Sequence, residues 1–219
     1  MKKTLIAIVS ICLLAASVYV VFKRYSGNRE VPYSRDILDK TYRNYSKAVL
    51  KSADQYDLPP EYLLSLIALE CSGRKLVPHR FEPRVFDLLK KVRNGELPMY
   101  DNVKSSDLKG MNNVYLKKLA SSWGPYQLMG YKSFELNHSI VEINGTKSVH
   151  IGTKWINKTY GRQLRNGNFK DAFHIHNTGR KYPLIGPPRT YHKHYVPMGL
   201  QYMEAFKLKI SETDSLDKR

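Results

Sequence analysis

Between residues 34 and 56 the residues Leu38, Tyr42, Tyr45, Val49, Ala53 and Tyr56 recur at steps of three and four, which gathers them on one stripe of a helix. Ser34 stands at the N-cap position, where its hydroxyl can accept from the N–H groups that a first helical turn leaves unpaired. The next segment abandons this one-sided pattern. Leu63-Leu64-Ser65-Leu66-Ile67-Ala68-Leu69 is apolar nearly all round, begins just after Pro59-Pro60 and gives way to Gly73. Proline suits a first turn and glycine an exit, so the pattern predicts a helix buried on all sides against which the first stripe packs. Its last turn carries one acid, Glu70.

Arg74, Lys75, His79 and Arg80 follow in a basic, irregular stretch, and an apolar pattern resumes over residues 81–89. Residues 91–120 hold Gly95, Pro98 and Gly110 among many polar positions and read as a loop-rich insertion with a short helix near Val114 to Leu119. From Ser148 to Tyr160 the spacing of Val149, Gly152, Trp155, Ile156 and Tyr160 is helical. Ile143-Asn144-Gly145-Thr146 before it is taken as a turn between helices, with a hairpin turn as the alternative. Asn168 is placed to cap a helix bearing Ala172, Phe173 and His176. Pro183, Pro187 and Pro188 enforce an extended loop, and a last helix from about Val196 to Leu208 offers Leu200, Met203 and Phe206 to the core. The expected fold is mainly α over residues 34–210, with residues 211–219 as a polar tail.

A chain of 219 residues can bury the core of one domain. Its N-terminus adds an anchor. Thr4 to Phe22 is free of charge and flanked by Lys2-Lys3 and Lys23-Arg24, the length of a transmembrane helix. Ala15-Ala16-Ser17, the nearest cleavage signal, lies too deep in the run, so residues 1–24 are expected to form an uncleaved, single-pass anchor and residues 25–33 a linker. The net charge of +17 favours polyanionic partners, among them anionic lipid and wall polymers bearing phosphate and carboxylate. The basic residues are dispersed and no nucleic-acid motif is present, so nucleic acid is not expected as a partner. Cys12 and Cys71 imply no disulfide framework, and Cys71 reads as a small apolar filler. His174 and His176, with His192 and His194, form two His-x-His pairs without the helical spacing of a zinc site, so neither a metal nor another cofactor is expected.

A carboxyl held against Leu66, Ile67 and Leu69 loses hydration of its charged form, which raises its pKa and suits it to act as a general acid near neutrality. An ordinary glutamate facing water at a helix end would have the same local pattern. The surrounding motifs favour the acid. Gln55 to Gly73 resembles the start of the lytic transglycosylase and goose-type lysozyme superfamily, in which an apolar helix ends in the catalytic Glu followed by Ser. Ser121-Ser122-Trp123-Gly124-Pro125-Tyr126-Gln127-Leu128-Met129-Gly130 is similar to its second motif. Asp171-Ala172-Phe173-His174-Ile175-His176-Asn177-Thr178-Gly179 is similar to its third, with His176 where the family usually has Tyr. Phe81-Glu82-Pro83-Arg84-Val85-Phe86 resembles a segment of phage-type N-acetylmuramidases. The resemblance spans about residues 45–206 and is weak over 87–120.

It implies a lysozyme-like domain on the extracytoplasmic, periplasmic side of the inner membrane, cutting the β-1,4 bond between N-acetylmuramic acid and N-acetylglucosamine in peptidoglycan. Glu70 is then the proton donor and, in a transglycosylase, the base that activates the sugar's own 6-hydroxyl. A hydrolysing enzyme needs a second carboxylate, for which Glu82 is the candidate, against the competing reading of an ion pair with Arg80 or Arg84. Gln127 corresponds to a substrate-binding position, with Tyr126 and Met129 beside it, and Ser72 and Asn177 are expected to orient Glu70 or the sugar. At His176 an imidazole, unlike a phenol, can become charged and help keep Glu70 ionised, so a steeper dependence on pH is expected. A silent wall-binding scaffold and a membrane-tethered nucleic-acid binder are the competing readings. Cell-wall or secretion machinery stand as further partners of the enzyme.

Overall fold

Pro60 opens the central helix of the computed structural model, which describes residues 33–217. The anchor expected at residues 4–22 and nearly all of the linker lie outside these. Among the described residues no helix is long and apolar enough to cross a membrane. The chain is mainly helical, and its helices in order are α1 (Arg35–Tyr56), α2 (Pro60–Cys71), α3 (Pro83–Arg93), α4 (Asn113–Leu119), α5 (Lys132–Leu136), α6 (Ile140–Asn144), α7 (Ser148–Arg165), α8 (Phe169–Thr178) and α9 (Tyr195–Asp217).

Helix α2 is buried almost all round, from Tyr62 through Ala68, because its sequence leaves no polar face to turn outward. It packs chiefly on α9 and on the stripe of α1. Its exit is left-handed at both Ser72 and Gly73, at φ of 53° and 67°. Glycine is required at the second of these, since a Cβ there would stand 2.5 Å from the Thr41 hydroxyl of α1. At the N-terminus of α1, Ser34 caps the helix by accepting from the Ile37 N–H. Ser34→Ala is therefore expected to lower the unfolding free energy by about 1 kcal/mol, measured as a reduced midpoint in urea with an unchanged slope.

The insertion is more ordered than its composition suggests. Leu89, Val92, Val103, Leu108, Leu116 and Leu119 form a second buried core, closed by Tyr131 and Ile140. A hairpin pairs β2 (Met99–Tyr100) with β3 (Val103–Lys104) through Asp101 and Asn102, which both take positive φ. That two-residue turn has the left-handed pair that hairpins favour, but without the glycine that usually marks it. A three-stranded antiparallel sheet joins β1 (Arg80–Phe81), β4 (Ser121–Trp123) and β5 (Leu128–Met129), with Arg80 opposite Ser122 and Ser122 opposite Met129. Strands of two or three residues are too short to display an alternating pattern.

The C-terminal boundaries also shift. Helix α9 continues through Asp217, so most of the expected polar tail is helical. Polar bonds carry it past the last core residues: Lys209 pairs with Asp39 at 2.7 Å and Tyr42 donates to Thr213 at 3.0 Å. Asn168 does precede α8, but its amide donates to Gln163 instead of capping the helix.

Candidate active site

Because Pro60 fixes the start of α2 and Ser72-Gly73 its end, Glu70 is delivered at the last turn, where the helix leaves the main core. There it lines a cleft of ≈ 880 Å³ whose walls come from both cores. Its side chain is only 17 % exposed. Burial pushes the Glu70 carboxyl up to about 7, opposed by a hydrogen bond from Tyr195 and by the positive charge of Arg80. Tyr195, the first residue of α9, donates its phenol to Glu70 Oε1. No local pattern marks this residue. It lies 125 positions along the chain from Glu70 and, among the abundant tyrosines, has the apolar company of a core position.

His176 on α8 faces the same carboxylate at 3.8 Å, a distance that makes an ion pair only when the imidazole is protonated. Its Nε2–H donates to the Tyr126 carbonyl at 3.0 Å, and its Nδ1 accepts from the Tyr160 hydroxyl at 2.7 Å. With both ring nitrogens committed, the neutral tautomer is fixed. Burial pulls the imidazole down to about 4. The expectation that a charged His176 keeps Glu70 ionised is therefore corrected: near neutrality His176 is an uncharged spacer, and the phenol beside the acid comes from Tyr195 instead.

Other expected residues divide between the cleft and the core. Gln127, Met129 and Asn177 line the cleft. The Gln127 side chain is already tied down, accepting from Ser122 at 2.7 Å and donating to the Gly124 carbonyl at 3.1 Å. Asn177 accepts from the backbone N–H of Tyr191 at 3.1 Å and so holds the following loop rather than Glu70. Tyr126 does not line the cleft. It is 1 % exposed, bonded through its hydroxyl to Thr153 at 3.2 Å, and packed so closely on Gly152 that a Cβ there would lie 2.2 Å from its ring. Its contribution is the backbone carbonyl that fixes His176, which corrects the substrate contact expected of its side chain. Ser72 is likewise a correction, because it serves as the left-handed helix end and makes no side-chain hydrogen bond to Glu70.

Glu82 lines the cleft and pairs with Arg80 at 3.0 Å, while the Arg80 guanidinium lies 4.8 Å from the centre of the Tyr191 ring. Cys71 is buried, donates to the Ile67 carbonyl, and has its thiol pushed up to about 11 by burial, so it is a filler and no nucleophile. The far wall holds residues that the sequence pattern did not single out. Asp101 at the hairpin turn accepts from Tyr131 at 2.7 Å and from Lys132 at 2.9 Å, which keeps its carboxyl below the usual range although burial opposes this. Lys132 also lies 5.6 Å over the ring of Trp155. The arrangement offers one protonatable acid at the edge of the main core, in a trough with polar and aromatic walls. No protein-family model, curated protein or solved structure matches the chain significantly.

Proposed function

We propose that this helical unit is a lysozyme-like domain that cleaves peptidoglycan glycan strands as a lytic transglycosylase, with Glu70 as general acid and then general base. The observation that carries the reading is a single, largely dry carboxylic acid with a pKa near 7 on the wall of a cleft roomy enough for several sugar rings. A glycosidic oxygen leaves only if it is protonated as the C–O bond breaks. Glu70 gives its proton to the bridging oxygen, the bond to C1 of the muramic acid residue breaks, and Tyr195 holds the new carboxylate. The sugar's 6-hydroxyl then attacks C1 and passes its proton to Glu70. This closes a 1,6-anhydro ring, consumes no water and restores the acid. Residues 4–22 would hold the domain to the inner membrane on its periplasmic face, within reach of the wall.

Glu82 is the discriminating residue between this route and hydrolysis. Its guanidinium partner and its half-buried position suit an ion pair at the cleft wall. Glu82→Gln is accordingly expected to change the rate of fragment release from purified sacculi by less than about threefold. A loss on the order of a thousandfold would make Glu82 the second carboxylate of a hydrolysing muramidase.

A further inference from the structure

The loop between α8 and α9 carries a feature that the cleft does not use. At its tip, Leu184 and Ile185 are 102 % and 94 % exposed, in the uncharged sequence Pro183-Leu184-Ile185-Gly186-Pro187-Pro188. Such a projecting aliphatic pair is unfavourable in water unless something covers it. Four exposed cations flank the tip along the chain, Arg180, Lys181, Arg189 and Lys193, and no Asp or Glu occurs from residue 172 to residue 203.

The loop is held in shape from beneath. His174, 2 % exposed, donates from Nδ1 to the Arg180 carbonyl at 2.7 Å and accepts at Nε2 from the Arg189 N–H at 3.2 Å. One imidazole thus clasps both ends of the ten residues that bear the tip. The Tyr182 N–H donates to Asp171 at 3.1 Å, and the prolines limit what freedom remains. A stiff apolar tip flanked along the chain by exposed cations matches a bilayer surface, where hydrocarbon begins just beneath a layer of phosphates. An apolar pocket on a protein would explain the tip but not the exposed cations on both sides of it, where the carboxylate against the loop, Asp171, is engaged by the Tyr182 N–H.

We propose that residues 180–193 form a membrane-docking loop, which sets Leu184 and Ile185 into the interface of an anionic phospholipid bilayer while Arg180, Lys181 and Lys193 meet its phosphates. The inference stands apart from the glycosidase reading, since it requires nothing of Glu70. Thr178, Gly179, Arg189 and Tyr191 line the cleft at the root of the same loop. Docking therefore holds the cleft mouth near the membrane face.

The test follows the depth of the tip in the full chain, so that attachment by any other segment does not confound it. An environment-sensitive fluorophore is placed at Ile185→Cys in a Cys12→Ser background; Cys71 is buried and its thiol, pushed up to about 11, stays unlabelled. The protein is incorporated into vesicles of phosphatidylglycerol with phosphatidylcholine, or of phosphatidylcholine alone, and floated fractions are read for quenching by spin-labelled lipid. The same label at Val141→Cys, an exposed site on α6, is the comparison. The probe at 185 should shift to the blue and be quenched in the anionic vesicles only, with the probe at 141 unaffected. Lys181→Gln should weaken the docked population about fivefold. Equal behaviour of the two probes, equal quenching in both lipids, or failure of the protein to float would overturn the proposal. A tip that stays in water on anionic vesicles would point to a protein as its partner.

Discussion

Glu70→Gln should abolish the release of soluble fragments from purified sacculi, lowering the rate by about a thousandfold, the usual contribution of a positioned general acid. Binding to sacculi should persist, because glutamine is nearly isosteric and its carbonyl can still accept from Tyr195. That split between lost cleavage and retained binding separates an enzyme from a wall-binding scaffold. Release that survives the substitution would remove Glu70 from the mechanism. Stability should move the other way. With its pKa raised from 4.5 to about 7, the folded state holds a proton on Glu70 that the unfolded chain has lost, so stability falls as pH rises through that window. The amide escapes this cost, and the variant should melt at a higher temperature than the parent at pH 8, as expected where a site is tuned for chemistry at the expense of the fold.

Tyr195→Phe should slow cleavage about tenfold at pH 6 and carry activity to higher pH. Burial raises the pKa of Glu70, and the Tyr195 hydrogen bond lowers it by favouring the charged form. Without the phenol the acid is weaker, so it gives up its proton less readily but keeps it further into the alkaline range. The high-pH limb of the rate profile, near 7 in the parent, should therefore move up by about one unit, the equivalent of one charge-assisted hydrogen bond. The low-pH limb should stay near 4, where His176 takes up a proton and can no longer accept from Tyr160. A high-pH limb that does not move when Tyr195 is replaced would mean that another group titrates there.

The residues legible in the sequence are those whose role is local. Ser34 announces its helix by a cap three residues from its partner, and the all-apolar run of α2 announces both its burial and the single acid at its end. Gln127, Met129, Glu82 and Asn177 line the cleft because short motifs keep each at a fixed offset from a turn or helix end. What escaped was long-range or built from very short elements. Tyr195 reaches Glu70 across 125 residues, and nothing in its neighbourhood distinguishes a phenol over a carboxylate from one packed in a core. His176 reads from its sequence as a group that charges near neutrality, but both its nitrogens are engaged by Tyr160 and Tyr126, partners on other elements, and burial moves its titration down to about 4. The β2–β3 hairpin hid behind an Asp-Asn turn and two-residue strands, so a segment with its own core read as loop.

The most direct measurement is mass spectrometry of whatever the full-length protein releases from purified sacculi between pH 5 and pH 7, where Glu70 holds its proton. Muropeptides ending in 1,6-anhydro-N-acetylmuramic acid, lighter by one water than hydrolysed ends, are the predicted products. Sacculi that remain intact, with no fragment in solution, would contradict the account.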